Sequence, residues 1–250
     1  MSMLQLSSGL LFPFDVSHIS CGRKYFELVS AHAPRLLPQK YGNDEPLKGC
    51  FSLDAIEPIL QASWQDMFLW KSNSSKTNGI WQMGKGLRHS SLFVYGNNRT
   101  INSGELKSLY KAMAVSFGEI DFGYVHALAD PEWESFAPFA TDMLSPFNYG
   151  VMTINLRKCI PNLSWATLFG RPYVEMIGMD RLLSSPAFNV EKWGDSLVYV
   201  QVSPEISDVE SKFSDFSDRR NAVKSHLGDH LFFMPNASQN DSKSPMFTFC

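Results

Sequence analysis

The clearest periodicity of apolar and polar residues in this chain predicts a helix that follows Asn102. Apolar residues recur three and four positions apart between Leu106 and Phe117, a spacing that places them on one helical face. Asn102 is a favourable N-cap with Glu105 three positions later, and Gly118 suits the C-cap. The segment therefore predicts an amphipathic helix that packs against a core.

Other helices are predicted from their capping residues. One starts near Asp54, a short one surrounds Trp165, and Pro172 stands where a first helical turn tolerates proline. The last helix opens with a capping box at 207–210 and ends at Gly228.

Short apolar and aromatic runs bounded by Gly, Asn and Ser residues predict strands. They cover residues 24–29, 66–70, 79–83, 91–95, 120–126, 151–156 and 197–202. Strands mixed with a few helices, without regular alternation, favour an α+β fold with a mainly antiparallel sheet flanked by helices. No repeat or linker divides the chain, so residues 1–234 are predicted to form a single domain and the polar residues 235–250 a disordered tail.

Composition and charge narrow the range of functions. The 250 residues carry a net charge of −3, which argues against direct nucleic-acid binding, because that requires a basic surface. Aromatic residues make up 13% of the chain, and we expect most of them in the core and a minority in a protein interface. A mildly acidic chain is suited to docking with a basic protein.

The sequence shows no targeting segment and no membrane-spanning segment. The apolar cluster at 10–14 is short, contains Pro13 and has no positive charge before it, since Arg23 is the first basic residue. No apolar run reaches the length that crosses a bilayer. The four cysteines have no metal-ligand spacing and are expected to be reduced thiols. These features predict a cytoplasmic protein without membrane contact.

The common catalytic motifs are absent from the sequence. It has no GxxxxGK[ST] phosphate loop, no GxGxxG turn, no GxSxG elbow and no HExxH helix. His226 and His230 have the spacing of a metal pair, but Gly228 is expected to end the helix between them. The basic run 84–89 is expected to be a hairpin turn rather than a phosphate cradle. We therefore predict no catalytic residue, no metal and no cofactor.

Two acidic segments hold the candidate partner-binding residues. The first is a long connection that contains Asp130, Glu132, Trp133, Glu134 and Phe136. Trp is common in binding hot spots and acids beside it would face a basic partner, although Trp133 could equally fold back onto the core. The second is the last helix, with Asp208, Glu210 and Asp215. Its simpler interpretation is a solvated face whose acids suit the helix dipole.

Several segments resemble the bacterial immunity protein 52 family. The first half carries the pattern Tyr41-Gly42-x-x-Glu45-Pro46-Leu47, then Trp64 and Phe68-Leu69-Trp70. The most specific block runs from Leu163 to Ala187 and includes Trp165, Gly170, Pro172, Gly178 and Arg181. The resemblance covers roughly residues 40–233 with gaps, and the connection 127–149 has no counterpart in it.

That resemblance implies an antitoxin of contact-dependent or type VI secretion systems. The family is associated with nuclease toxins of restriction-endonuclease type, and it brings no catalytic residue to this chain. The implied partner is a cognate toxin, a nuclease effector, which is neutralised by stoichiometric complex formation. The sequence does not determine the oligomeric state.

Two alternatives stay open at this point. One is a hydrolytic enzyme that acts on a toxin product or another small molecule, with His89, His126 or Asp121 in an unrecognised site. An enzyme needs a concave pocket where titratable groups converge, whereas a binding protein needs an exposed aromatic and acidic patch. The other alternative is a structural protein of a secretion apparatus.

Overall fold

The computed structural model describes residues 4–73, 75–128, 151–233 and 243–249. Its strands are β1 (Gln5–Phe12), β2 (Lys40–Gly42), β3 (Gly49–Cys50), β4 (Met67–Ser72), β5 (Thr77–Gln82), β6 (Ser90–Asn97), β7 (Phe122–Leu128), β8 (Ala166–Phe169), β9 (Asn189–Lys192) and β10 (Val198–Gln201). They form one ten-stranded sheet in the order β3-β2-β4-β5-β6-β1-β7-β8-β10-β9. Every neighbouring pair of strands is antiparallel.

The helices lie between the strands and after them. They are α1 (Ile19–His32), α2 (Ile56–Ser63), α3 (Ser103–Phe117), α4 (Thr153–Leu156), α5 (Arg171–Ile177), α6 (Met179–Leu183), α7 (Asp208–Ser211) and α8 (Phe213–Leu227). Short 3-10 turns occur at Pro34–Leu36, Leu53–Ala55 and Asp229–Leu231. The α+β class with a mainly antiparallel sheet flanked by helices is confirmed.

Strand β1 lies in the middle of the sheet, between β6 and β7. Its residues from Leu6 to Phe12 are all buried, because helices cover both faces of the sheet here. The polar exceptions are bonded to tyrosines: Ser7 Oγ lies 2.8 Å from the Tyr124 hydroxyl, and the Tyr110 hydroxyl donates to Ser8 Oγ over 2.8 Å. The sequence predicts strands and loops over residues 1–50 but no bounds for this central strand.

Helix α3 covers one face of the sheet. Successive residues of a strand point to opposite faces, so Ser8 and Phe12 share one face and Leu11 lies on the other. On the first face, Tyr110 of α3 bonds to Ser8, and the ring of Phe117 lies 5.6 Å from that of Phe12.

Helices α5 and α8 cover the opposite face. Tyr173 of α5 packs on Phe122 of β7 with ring centroids 5.3 Å apart. Phe216 of α8 packs on His126 of the same strand at 6.0 Å. This second face also holds the cavity described below.

A cluster of aromatic rings fills the space beside α1. Tyr25 of α1 contacts Trp81 of β5 with centroids 5.1 Å apart, and Trp64 lies 5.6 Å from Trp81. The Trp64 ring nitrogen donates to the carbonyl of Val16 over 2.8 Å, so its one polar atom is satisfied in the core. These buried rings confirm the expected aromatic core.

The helix predicted after Asn102 is confirmed as α3. The Asn102 side chain accepts hydrogen bonds from the backbone of Gly104 over 2.7 Å and of Glu105 over 3.4 Å. Gly118 ends the helix at φ 83°, in the left-handed region that glycine adopts at little cost.

The strand predicted at 24–29 is wrong, because this segment lies inside α1. The buried residues Gly22, Tyr25, Phe26 and Val29 are spaced as one helical face. Aromatic and β-branched residues favour a strand locally, but packing of this face on the aromatic cluster decides the outcome.

Two other assignments are also wrong. The run 151–156, predicted as a strand, contains the helix α4, and the run around Trp165, predicted as a helix, leads into the strand β8. All four residues of β8 are buried between β7 and β10, and this long-range pairing outweighs the preference of a short run. Gly170 stands before α5, where a side-chain Cβ would overlap the carbonyl oxygen of Ile120.

The capping box predicted at 207–210 does not form. Ser207 already has a helical backbone, with φ −69° and ψ −14°, so its hydroxyl makes no cap hydrogen bond. The carboxylate of Asp208 accepts the backbone N–H of Glu205 over 3.1 Å instead. The predicted last helix is divided at Lys212 into α7 and α8. The helix predicted to start near Asp54 is α2, and Asp54 itself lies inside the 3-10 turn that precedes it.

The membrane and cysteine predictions can be compared with the described residues. None of the helices there is long and apolar enough to cross a membrane. Cys21, Cys50 and Cys159 are free, and Cys250 lies outside the described residues. Burial raises the pKa of the Cys21 and Cys159 thiols, so neither is activated as a nucleophile.

Candidate functional site

The loop 83–89 between β5 and β6 forms one wall of the candidate site. Ser90 connects the two ends of this loop and fixes them to the segment after β1. The Oγ of Ser90 accepts the N–H of Gly84 over 2.9 Å and donates to the carbonyl of Phe14 over 2.7 Å. Gly86 lies at φ 64°, which allows the turn. The loop is thus a connection between antiparallel strands, as predicted for 84–89, and Leu87 and Arg88 are exposed on it.

The short helix α4 forms the opposite wall. At its first residue, Thr153 Oγ1 accepts the backbone N–H of His89 over 3.1 Å. Directly after its last residue, Arg157 donates from Nη2 to the carbonyl of Leu87 over 3.0 Å. These two hydrogen bonds, one at each end of α4, hold the helix beside the loop.

The imidazole of His89 joins three separate segments of the chain. Its Nε2 lies 3.0 Å from Asp121 Oδ2, and its Nδ1 lies 2.9 Å from Thr153 Oγ1. Burial raises the pKa of the Asp121 carboxyl, and the hydrogen bond from His89 acts in the opposite direction. The pattern is satisfied by an imidazole with a proton on Nε2 that accepts the Thr153 hydroxyl proton at Nδ1.

Hydrogen bonds connect the hydroxyl of Thr153, the imidazole of His89 and the carboxylate of Asp121 in that order. A nucleophile, a general base and an orienting acid are connected in this order in hydrolases. The imidazole is enclosed, however: its side chain is 1% exposed, and the rings of Phe247 and Phe249 stand edge-on at 4.8 and 4.9 Å. The same contacts also serve a purely structural bridge that fixes the loop against α4.

The segment 243–249 packs against this bridge. The N–H of Lys243 donates to the carbonyl of His230 over 3.1 Å, and Ser244 Oγ donates to the carbonyl of Arg157 over 2.7 Å. The ring of Phe247 lies 6.1 Å from that of Tyr173. Residues 243–249 of the predicted disordered tail therefore pack against the rest of the fold, with Phe247 and Phe249 supplying apolar contacts. Residues 234–242 lie outside the described residues.

A cavity of about 460 Å³ opens between the loop and α4. Leu11 and Phe93 of the sheet are buried in its wall, and Lys85, Arg88 and Arg157 are its charged lining residues. Lys85 is paired with Asp66, and the guanidinium of Arg157 stands 5.8 Å from the ring of Phe249. Its volume falls in the usual range of ligand pockets.

Three large apolar side chains are exposed where they line this cavity. Leu87 is 69% exposed, Ile154 is 65% exposed and Met152 is 41% exposed. Single exposed apolar residues are common, but a group of them beside a concavity marks an interaction surface. We call the cavity together with Leu87, Arg88, Met152 and Ile154 the loop–α4 surface.

The residues proposed from the sequence for partner binding lie elsewhere or outside the described residues. Asp130, Glu132, Trp133, Glu134 and Phe136 fall within 129–150, which the structure does not describe. Asp208 is only 4% exposed and pairs with Lys212 over 3.2 Å, so it is not part of an acidic surface. Glu210 and Asp215 are exposed.

The histidines singled out in the sequence have different environments. His126 is fully buried, and its Nδ1 accepts the N–H of Trp165 over 2.8 Å, which ties β7 to the start of β8. His226 donates from Nε2 to the carbonyl of Arg181 over 2.9 Å and so ties α8 to α6. Within the described ranges, no group of three or more His, Cys, Asp or Glu residues could hold a metal ion.

Sequence reasoning therefore found Asp121 and His89 but not their partner Thr153, nor the apolar residues Leu87 and Ile154. Leu87 is a large apolar residue inside a glycine-rich basic turn, which is a weak signal of an exposed contact. Ile154 gives no such signal, because its run at 151–156 predicts a strand.

Comparisons with known proteins give little support for a family. No family model matches the chain, and the search of curated proteins finds no match. Among solved structures, the Pseudomonas aeruginosa T6SS protein PA0821 is similar, with 16% sequence identity, 88% of this chain and 73% of that chain covered, and a TM-score of 0.48. A likeness of this degree assigns neither family nor function, so the resemblance to immunity protein 52 stays a resemblance.

Proposed function

We propose that this chain is a non-enzymatic binding protein that neutralises a cognate toxin. The observation that carries the proposal is the loop–α4 surface, where exposed apolar side chains surround a concavity that is held in shape from both sides. Burial of these apolar side chains against a partner is favourable, because it removes them from water. A preformed surface also costs less conformational entropy on binding.

The partner in this proposal is a secreted nuclease effector of a type VI or contact-dependent system, bound in the cytoplasm. The resemblance to the immunity protein 52 family supports that choice. No direct contact with nucleic acid is part of the proposal, in keeping with the net charge of −3.

The test is complex formation with a nuclease toxin domain, sought among the open reading frames that neighbour the gene of this chain. We expect a one-to-one complex with a Kd of roughly nanomolar order, near −12 kcal/mol, because a few free nuclease molecules would suffice to kill. Titration calorimetry measures the affinity, and a nuclease assay measures the inhibition. A toxin that stays active in an excess of this protein would refute the proposal.

The acidic connection remains part of the expected interface. Val151 lines the cavity, so the chain that follows this connection re-enters the described residues at the loop–α4 surface. We expect Trp133→Ala to weaken binding more than tenfold, since truncation of an aromatic anchor costs about 2 kcal/mol or more.

Neutralisation of Asp130, Glu132 and Glu134 together should mainly slow association at low salt. The competing interface is the last helix, which is tested by neutralisation of its exposed residues Glu210 and Asp215. Binding kinetics on an immobilised toxin compare the two variants. Slower association of the helix variant alone, with an unchanged connection variant, would remove the connection from the interface.

A hydrolase is the second candidate, and the bonded chain of Thr153, His89 and Asp121 is the observation that favours it. The variants Thr153→Val and His89→Gln separate the two functions. A binding protein should lose protection in these variants only as far as its affinity for the toxin falls, since both side chains also hold the loop against α4. An enzyme should lose protection in both while it still binds its toxin.

A further inference from the structure

The charges of the loop–α4 surface are all of one sign. Among the described residues, its lining contains Lys85, Arg88 and Arg157 and no acidic residue, although the chain as a whole is acidic. Asp66 offsets the charge of Lys85 from outside the cavity. The surface is therefore a positive island on a protein with a net charge of −3.

Arg88 is the cation that is free to meet a partner. Lys85 is held by Asp66, and Arg157 already donates to the Leu87 carbonyl. The guanidinium of Arg88 has neither a hydrogen-bond partner nor an ion-pair partner within the described ranges, and its side chain is exposed. Arginine presents a planar set of donors that matches a carboxylate in two-point geometry.

The apolar side chains beside Arg88 decide between classes of partner. A nucleic acid or a free phosphate would use the cations and leave Leu87, Met152 and Ile154 without a role. A protein segment uses both, because its apolar side chains enter the cavity while a carboxylate meets the guanidinium. Arginine beside large apolar residues is also the usual composition of a binding hot spot.

We infer that the loop–α4 surface binds a segment of the toxin in which an Asp or Glu stands beside apolar side chains, with Arg88 paired to that carboxylate. This inference rests on the proposed function and specifies which chemistry the toxin presents. It adds an acidic contact to the basic partner surface expected opposite the acidic connection, since at the loop–α4 surface the positive charge belongs to this protein.

The test uses as its probe the toxin domain from the complex-formation experiment described above, and it compares two charge reversals. Arg88→Glu changes the surface, and Arg35→Glu is its matched control, since Arg35 is likewise exposed and lies in the 3-10 turn that precedes β2. We expect Arg88→Glu to raise the Kd more than tenfold and Arg35→Glu to leave it within twofold, by calorimetry on the folded full-length proteins.

A second measurement locates the carboxylate directly. The variant Arg88→Lys keeps the charge and provides a primary amine that carbodiimide couples to a nearby carboxylate. We expect a cross-link between position 88 and an Asp or Glu of the toxin, identified by mass spectrometry of the digested complex.

The outcomes distinguish this inference from the proposed function. If the complex forms and inhibits, but Arg88→Glu behaves like Arg35→Glu and position 88 gives no cross-link, the inference fails and the proposed function stands. If the wild-type protein forms no complex, the proposed function itself fails. If inorganic phosphate displaces the toxin from wild-type protein but not from Arg88→Ala, the surface is an anion site and the inference fails.

Discussion

The cluster around Glu191 and the loop–α4 surface use their charged residues in opposite ways. Glu191 of β9 receives Lys107 Nζ at 2.5 Å and Lys111 Nζ at 3.4 Å from α3. Trp193 Nε1 and Asn189 Nδ2 each donate to the same carboxylate over 2.9 Å. Burial opposes the charged form of Glu191, but these donors outweigh it and lower its pKa to about 2.

The aromatic rings of that cluster are paired as well. Trp193 and Tyr199 stack with centroids 4.7 Å apart, and Lys107 stands 4.8 Å above the Tyr199 ring. At the loop–α4 surface, by contrast, Arg88 has no partner among the described residues and Leu87 and Ile154 face solvent. The first cluster is complete within the fold, and the second offers groups that a partner would complete.

This difference shows where a charged residue contributes to folding and where it contributes to binding. A charge with several donors in place stabilises the fold, and its removal leaves those donors without their acceptor. An exposed cation with no partner adds little to folding, since surface charges contribute less than about 1 kcal/mol. The variants below test this contrast through the free energy of unfolding.

The largest loss of stability should follow Asp121→Ala. This change leaves His89 Nε2 buried without its acceptor, which costs about 2–3 kcal/mol. Asp121→Asn retains an acceptor oxygen and should cost roughly half as much. Urea unfolding followed by circular dichroism measures both variants. Equal stability of Asp121→Ala and the wild type would mean that the His89 bridge does not stabilise the fold.

An intermediate loss of about 1 kcal/mol is expected for Glu191→Gln, after allowance for the partial exposure of the cluster. Glu175→Gln on the exposed side of α5 is the control and should change little. An equal loss of unfolding free energy in Glu175→Gln and Glu191→Gln would show that the donors around Glu191 do not stabilise the fold.

The effect of Glu191 should also depend on pH. Its pKa is lowered from the ordinary 4.5 to about 2, so the charged form is favoured in the folded state. The stabilisation is therefore present above about pH 4.5 and is lost as the pH falls from 4.5 towards 2. The difference between the wild type and Glu191→Gln in urea unfolding should shrink across that window. A difference that stays constant there would show that Glu191 acts by shape and not by charge.

The smallest change in stability is expected for Arg88→Ala, within about 0.5 kcal/mol of the wild type. The same substitution should nevertheless weaken toxin binding more than tenfold, because the Arg88 guanidinium has its proposed partner only in the complex. Thermal unfolding and calorimetry on one preparation give both values. A strongly destabilised Arg88→Ala would show that this cation supports the fold.

Parts of the candidate site could be predicted from the sequence and parts could not. The basic turn at 84–89 was predicted from its glycines, and His89 and Asp121 were named as a possible site. Their meeting could not be predicted, because they lie 32 residues apart and Thr153 lies 64 residues from His89. Ile154 is exposed because it lies in the helix α4. The six residues 151–156 are too few to distinguish a helix from a strand by their pattern.

The sequence by itself determined the features that depend on neighbouring residues. Asn102 and Gly118 set the ends of α3, because capping acts over a few residues, and short apolar and aromatic runs bounded by polar residues predict the strands β4 and β5. Only the tertiary structure decided that 24–29 is helical and that β8 is a strand, since burial against distant rings and strands outweighs local preference. It also decided that Leu87 and Arg88 lie beside Ile154, because exposure depends on which distant segments cover a residue.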